Sequence, residues 1–86
     1  MVKQKDLEKM VRLINSLTES PKEPYSKDEN GEFQPNTGNY HLDFAYGGVR
    51  LCRMAEGGGS TDISYRRCTK KEMELYLGGF LSALRR

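Results

Sequence analysis

The chain has few of the residues and segments that identify a secreted, metal-binding or membrane protein. One histidine and two cysteines among 86 residues are too few for a disulfide framework or a tetrahedral metal site. No run approaches the roughly 18 apolar residues of a transmembrane helix. Residues 1–6, MVKQKD, lack the apolar centre of a signal peptide. We therefore expect a cytoplasmic protein that has no membrane contact, no metal and no cofactor.

The composition that remains is typical of one small globular domain. Apolar residues make up 36% of the chain and charged residues 30%, so the chain is neither a disordered tail nor a membrane protein. Its length suffices for a single domain, 1–86, with a core that folds alone. The net charge is +2, and residues 39–86 hold eight basic and five acidic groups. This weak excess permits contact with nucleic acid without requiring it.

Residues 40–66 predict three short antiparallel strands. Large apolar side chains at Tyr40, Leu42 and Phe44 alternate with smaller or polar ones, the period of a half-buried strand. Gly47-Gly48 then predicts a two-residue hairpin loop, and the triple glycine at 57–59 predicts a three-residue loop. The predicted strands are 40–46, 49–55 and 60–66.

The loop lengths also predict the pairing of these strands. Phe44 is expected opposite Leu51, and Leu51 opposite Tyr65, which places the large apolar residues on one face. The same register sets Cys52 opposite Ser64 and leaves the second cysteine too far away for a disulfide, so both thiols are expected to be reduced. The predicted helix-facing residues are Tyr40, Phe44, Leu51, Ile63 and Tyr65.

Two helices are predicted on either side of the strands. Apolar residues recur at helical spacing over 4–19 and again over 70–85, where Thr69 and Glu72 form a capping box. Gly78-Gly79 lies inside the second helix and costs roughly 2 kcal/mol of helix propensity, so we expect close approach of another backbone there, that of the first helix; a kink in the helix is the alternative. Residues 20–39 are predicted to be a long loop, pinned to the domain by its aromatic residues and containing a small extra hairpin.

These elements predict an α+β fold. It is a two-layer α-β-β-β-α arrangement, in which two helices pack on one face of a three-stranded antiparallel meander.

Four segments resemble a group of small, uncharacterised phage and prophage proteins. The resemblance covers most of the chain and implies a small cytoplasmic protein of the host cell, with no family active site to transfer. The segments that carry it are Ser20-Pro21-Lys22-Glu23-Pro24-Tyr25, Gly38-Asn39-Tyr40-His41-Leu42, Ala45-Tyr46-Gly47-Gly48-Val49 and Thr69-Lys70-Lys71-Glu72.

The order of elements is also similar to that of the double-stranded-RNA-binding domain. Thr69-Lys70-Lys71 stands where that domain begins its second helix with a lysine-rich motif that contacts phosphates. The resemblance implies binding to nucleic acid. It does not extend to the loop between the first two strands, because Gly47-Gly48 is shorter than the RNA-contacting loop of that domain.

A basic cluster is the candidate binding surface. The predicted register sets Arg50 opposite Arg66, next to the start of the second helix. Two facing arginines repel each other unless an anion or an acidic partner lies between them, so the cluster indicates a phosphate or a carboxylate-rich protein surface. An ordinary solvated edge, with Asp62 and Glu72 compensating the charge, is the alternative. The candidate residues are Arg50, Arg66, Arg67, Lys70 and Lys71.

Two further groupings contain residue types that could carry chemistry, and the open face bears on the oligomeric state. His41, Asp43 and Cys52 share a face, but the histidine and the thiol are related only diagonally, and no oxyanion hole is apparent. Residues 26–37 faintly resemble a calcium loop but end in Thr37, where a glutamate ligand is expected. The open face has few apolar residues, which suits a monomer or a weak homodimer.

We therefore expect a small non-enzymatic accessory protein that binds a protein of the host or of the phage. The alternative is a nucleic-acid-binding module that uses the basic cluster. The steepness with which affinity falls with salt separates the two.

Overall fold

A computed structural model describes residues 2–64 and 66–85. These residues form two helices and five strands in the order α1, β1 to β5, α2. The bounds are α1 Gln4–Leu17, β1 Tyr25–Lys27, β2 Phe33–Pro35, β3 Tyr40–Ala45, β4 Gly48–Met54, β5 Ser60–Asp62 and α2 Lys70–Leu84.

The fold is α+β, as predicted, with a three-stranded antiparallel sheet in the order β3-β4-β5. Both helices pack on one face of this sheet, where Tyr40 and Leu51 are buried with the apolar side chains of α1 and α2. Phe44 and Ile63 are half-buried at the edge of the same cluster. Tyr65, the remaining residue predicted for this face, lies outside the described residues. The buried core consists of Leu7, Val11, Ile14, Tyr40, Val49, Leu51, Met73, Leu77 and Leu81.

The predicted register of the first hairpin is wrong by two residues. Phe44 lies opposite Val49, and Ala45 lies opposite Gly48, so the loop consists of Tyr46 and Gly47. Gly48 is needed in the strand because a Cβ on it would lie 2.5 Å from the carbonyl oxygen of Cys68. Since the shift is even, every side chain keeps its predicted face.

The second hairpin is shifted in the same way, and its strand is shorter than predicted. Met54 pairs with Ser60, so the loop spans 55–59, and Cys52 faces Asp62 rather than Ser64. β5 ends at Asp62 because the Ser64 hydroxyl accepts the Leu51 N–H at 3.0 Å and so replaces a strand hydrogen bond. The predicted pairing of Leu51 with Tyr65 falls on a residue outside the described ones.

The first helix anchors the edge of the sheet through a buried asparagine. Asn15, 2% exposed, donates from Nδ2 to the Tyr40 carbonyl at 2.9 Å. Its Oδ1 accepts the Tyr40 N–H at 2.8 Å. The Asn15 side chain thus satisfies the two backbone groups of Tyr40 that point away from β4, and it takes the place of a neighbouring strand.

The second helix begins as predicted. The Thr69 hydroxyl accepts the Glu72 N–H at 3.1 Å, and the Glu72 carboxylate accepts the Thr69 N–H at 2.9 Å, which confirms the capping box. The expected packing of Gly78 and Gly79 against another backbone is wrong, because a Cβ on either glycine would meet no atom within 4 Å.

Candidate functional site

The structure divides the predicted basic cluster into two arginines that share the Asp43 carboxylate, Arg50 and Arg67, and three exposed residues. β5 ends at Asp62, so Arg66 pairs with no residue of β4 and the predicted facing arginines do not occur. On the other side of β4, Arg50 lies opposite Asp43. Arg50 Nη2 is 3.6 Å from Asp43 Oδ2. Its Nε is 3.2 Å from Asp62 Oδ1, close enough for an ion pair although the N–H is not aligned for a hydrogen bond. Carboxylates on both neighbouring strands therefore compensate this charge.

Arg67 is held by the same carboxylate. Its guanidinium donates to the Asp43 side chain from one nitrogen, and from the other to the Asp43 carbonyl at 2.9 Å and the Gly48 carbonyl at 3.3 Å. The hydrogen bond from Arg67 is the main cause that holds the pKa of Asp43 below its ordinary value. Arg67 therefore ties the segment after β5 to the β3–β4 hairpin.

The other three basic residues, Arg66, Lys70 and Lys71, are exposed. Lys70 and Lys71 line a shallow groove at the N-terminal ends of the two helices, and Asp6 and Glu74 line it with them. The Glu72 carboxylate already accepts a backbone N–H at the start of α2, and this bond to Thr69 is the main cause that lowers the pKa of Glu72. Acidic side chains thus accompany these cations and occupy part of the helix terminus that an anion would approach.

The predicted diagonal relation of His41 to Cys52 is wrong, because the two-residue shift in register sets them directly opposite each other on β3 and β4. Cys52 is buried at 3% exposure, and burial is the main cause that raises the pKa of its thiol. Its Sγ donates a weak hydrogen bond to Asp62 Oδ1 at 3.8 Å. His41 Nε2 instead lies 3.5 Å from the Ser60 hydroxyl. The thiol therefore has no hydrogen bond to the imidazole, the group that would act as its base in a cysteine nucleophile.

The predicted loop contains an ordered hairpin, which confirms the small extra hairpin expected there. β1 and β2 pair with Tyr25 opposite Pro35 and Lys27 opposite Phe33. The Asp28 carboxylate closes the turn, because it accepts the N–H of Asn30 at 2.9 Å and that of Glu32 at 3.0 Å.

The Asp28 carboxylate, one of the groups that resemble calcium ligands in the sequence, thus accepts hydrogen bonds within the turn. The Gln34 side chain also donates to it, at 3.0 Å. The hydrogen bond from Glu32, followed by that from Gln34, lowers the pKa of Asp28. The described residues contain no group of three His, Cys, Asp or Glu side chains placed to hold a metal ion.

Polar side chains also fix the base of the hairpin. Asn36 donates from Nδ2 to the Glu23 carbonyl at 2.9 Å and to the Ser26 hydroxyl at 2.7 Å. Asn39 Nδ2 donates to the Pro21 carbonyl at 2.7 Å and so joins the start of the loop to the start of β3. The hairpin is thus ordered by hydrogen bonds rather than by burial of its aromatic residues.

The aromatic residues of the hairpin remain in solvent, and the prediction that they pin the loop to the domain is wrong. Tyr25 is 48% exposed and Phe33 67% exposed, and both line one shallow depression. Lys27 places its ammonium 5.4 Å from the centre of the Phe33 ring. Residues 25, 27, 33 and 35 share one face by strand alternation, and we call this the aromatic face.

The sequence contains a signal for this site. Asp28 to Gly31 reads as a turn, and each flank carries an aromatic residue next to a polar one. What the sequence does not contain is the orientation of the hairpin. Pro35 lies near Gly58, in the loop between β4 and β5, where a glycine Cβ would be 3.6 Å from Pro35 Cγ. This contact between distant segments positions the hairpin, and Phe33 remains exposed.

Comparisons with known protein families, with curated proteins and with solved structures found no match. Among the helices of the described residues, neither has the length and apolarity needed to cross a membrane.

Proposed function

We propose that this chain is a small, non-enzymatic accessory protein that binds another protein through the aromatic face of the β1–β2 hairpin. The observation that carries the proposal is the exposure of Tyr25 and Phe33 on an ordered hairpin. A phage origin and a role in the cytoplasm of the host cell, which the sequence resemblance implies, form part of the proposal.

The energetics of the hairpin support this function. Full burial of a phenylalanine side chain contributes about 1.5–3 kcal/mol, and Phe33 forgoes most of it at 67% exposure. An isolated two-stranded hairpin is marginal in water, so its order depends on the bonds of Asp28 and Asn36. The chain therefore holds two aromatic rings in place without using them in its own core. Ordered aromatic side chains are the commonest anchors of protein interfaces, because little rotamer entropy is lost when they bind.

A variant pair tests the proposal. The double variant Tyr25→Ser, Phe33→Ser removes both rings while leaving the turn and the base of the hairpin intact. Tyr46→Ser is the matched control, because Tyr46 is fully exposed in the loop between β3 and β4. Each protein is used to capture proteins from a bacterial lysate, and every captured protein is then purified and titrated against the same three proteins.

The proposal expects a purified partner that binds the unmodified chain and the Tyr46→Ser control equally well. The same partner should bind the double variant at least tenfold more weakly, since truncation of an interface anchor costs about 2 kcal/mol or more. Equal binding to the double variant would contradict the proposal, provided that its amide spectrum shows a folded protein.

Nucleic-acid binding is the second candidate function, and it is supported by the exposure of Arg66, Lys70 and Lys71. We test it by titrating labelled single- and double-stranded DNA and RNA at low and moderate salt, with Arg66→Glu, Lys70→Glu as the control variant. Micromolar affinity that falls steeply with salt and disappears in the variant would favour this candidate over the first. An absence of binding at low salt would exclude it.

A further inference from the structure

The outer edge of β3 has backbone groups without a partner. β3 is an edge strand of the three-stranded sheet. The N–H and C=O of Tyr40 point away from β4, because both bond the Asn15 side chain. Backbone groups alternate in direction along a strand, so those of Leu42 and Phe44 point the same way. Among the described residues, no side chain or loop backbone bonds these four groups.

A groove lies at one end of this edge, beside Tyr40 and Leu42. Its volume is about 230 Å³, below the roughly 300–1,000 Å³ of small-molecule pockets. Two polar atoms that lack a partner among the described residues, Asn39 Oδ1 and His41 Nδ1, belong to residues that line it. The groove lies between α1, the base of the hairpin and β3, and its other lining residues include Glu8, Val11, Arg12, Lys22, Glu23 and Leu42.

We propose that the edge of β3 at Leu42 and Phe44 receives an extended segment of a partner protein, which adds a fourth strand to the sheet. This inference rests on the proposed function, since only a protein chain supplies a strand. Unpaired N–H and C=O groups at alternate residues match an extended backbone and no other ligand class.

The surroundings of the edge fit such a segment. The buried amide of Asn15 marks where the added strand ends, because it already fills the bonding positions at Tyr40. Glu23 and Pro24, at the base of the hairpin, line the groove together with Leu42. Cations and carboxylates both line the groove, which favours a partner segment of mixed charge over a strongly acidic or basic one.

A second copy of this chain is the less favourable occupant. Symmetric pairing that uses only Leu42 and Phe44 of each copy sets Asp43 against Asp43 of the other copy. Like charges directly opposite each other destabilise a strand pair, an effect that Arg50 and Arg67 reduce here because both pair with Asp43. A partner segment has no such constraint.

The probe is a display library of random linear peptides of about 12 residues, selected on the full chain. Peptides that enrich are synthesised, and their affinities are measured for the unmodified protein, Leu42→Pro and Leu42→Ala. Both variants lose most of the leucine side chain, but only proline removes the outward N–H and places a ring at the edge. The amide spectrum of each variant establishes that it is folded. If Leu42→Pro does not fold, N-methyl-leucine at position 42, introduced by ligation at Cys52, replaces it.

The inference expects peptides that slow hydrogen exchange at the Leu42 and Phe44 amides. They should bind Leu42→Pro at least tenfold more weakly than Leu42→Ala, since one lost hydrogen bond and a steric block account for roughly that factor. Failure to enrich any peptide, or equal binding to both variants, would overturn it. Protection of the same amides that rises with protein concentration in the absence of peptide would assign the edge to a second copy and overturn it too.

Failure of this inference is separable from failure of the proposed function. The Tyr25→Ser, Phe33→Ser variant retains the edge, whereas Leu42→Pro retains the aromatic face. A partner lost only by the aromatic variant would support the proposed function and contradict strand addition.

Discussion

Replacement of Gly48 by alanine tests the close approach that sets the register of the sheet. The Gly48 Cα faces the backbone of Cys68, so that an alanine Cβ would lie 2.5 Å from its carbonyl oxygen. The same segment is joined to β4 by two backbone hydrogen bonds of 2.9 Å between Val49 and Cys68. The alanine can be accommodated only if the backbone at Cys68 moves away from β4, which weakens these two hydrogen bonds.

The neighbouring glycine provides a matched control. Gly47 has φ +102° and Gly48 φ +124°, so alanine is strained at both positions. Nothing lies within 4 Å of a Cβ at Gly47. We expect Gly47→Ala to lower the free energy of unfolding by about 1–2 kcal/mol through backbone strain alone. Gly48→Ala adds the weakening of two backbone hydrogen bonds, roughly 1 kcal/mol each, for a total of about 3–4 kcal/mol.

Urea and thermal unfolding, followed by circular dichroism, measure the difference. About 2 kcal/mol between the two variants corresponds to a difference in Tm of roughly 8–16 °C for a domain of this size. If Gly48→Ala and Gly47→Ala unfold within about 0.5 kcal/mol of each other, the reasoning from close approach is refuted.

Three further variants test separate interactions. Asn15→Ala should lower the free energy of unfolding by about 2–4 kcal/mol in urea, because it leaves a backbone N–H and a carbonyl without a partner, and a loss below about 1 kcal/mol would contradict this. The double variant Gly78→Ala, Gly79→Ala should raise the free energy of unfolding in urea by roughly 1–2 kcal/mol, since neither site is crowded. A decrease would show that the glycines have a packing role. The bond from Arg67 lowers the folded-state pKa of Asp43, so its stabilisation is complete above the unfolded pKa of about 3.9 and is lost as pH falls through the folded value. In a series of unfolding curves from pH 2 to 7, Asp43→Asn should therefore be less stable than the unmodified protein at neutral pH and should lose less stability on acidification. If the stabilities of the two proteins fall in parallel with pH, the bond from Arg67 does not stabilise the fold through Asp43.

Local patterns in the sequence predicted the fold class and the faces of the sheet. Alternation along Tyr40 to Phe44 decides which side chains point to the helices, and an even error in register does not change that. The register itself depends on which glycine occupies the turn. That choice is made by the contact of Gly48 with Cys68, 20 residues further along the chain, and no local pattern reports it.

The candidate site was harder to predict for the same reason. The predicted arginine cluster depended on Arg50 facing Arg66, and the two-residue shift set Arg50 beside Asp43 and Asp62 instead. The hydrogen bonds of Asn15 to the edge of β3 have a signal in the sequence, because Asn15 is a polar residue directly after Ile14 of the apolar stripe. Its partner, the backbone of Tyr40, is 25 residues away and follows only from the tertiary structure.

Photo-crosslinking from the hairpin tests the central claim most directly. Benzoylphenylalanine is introduced in place of Phe33 in one protein and in place of Tyr46 in another, because both side chains are exposed but only Phe33 belongs to the aromatic face. Irradiation in bacterial cells should yield a discrete protein adduct from position 33 and none from position 46. Absence of an adduct from position 33, or the same adduct from both positions, would contradict binding through the aromatic face.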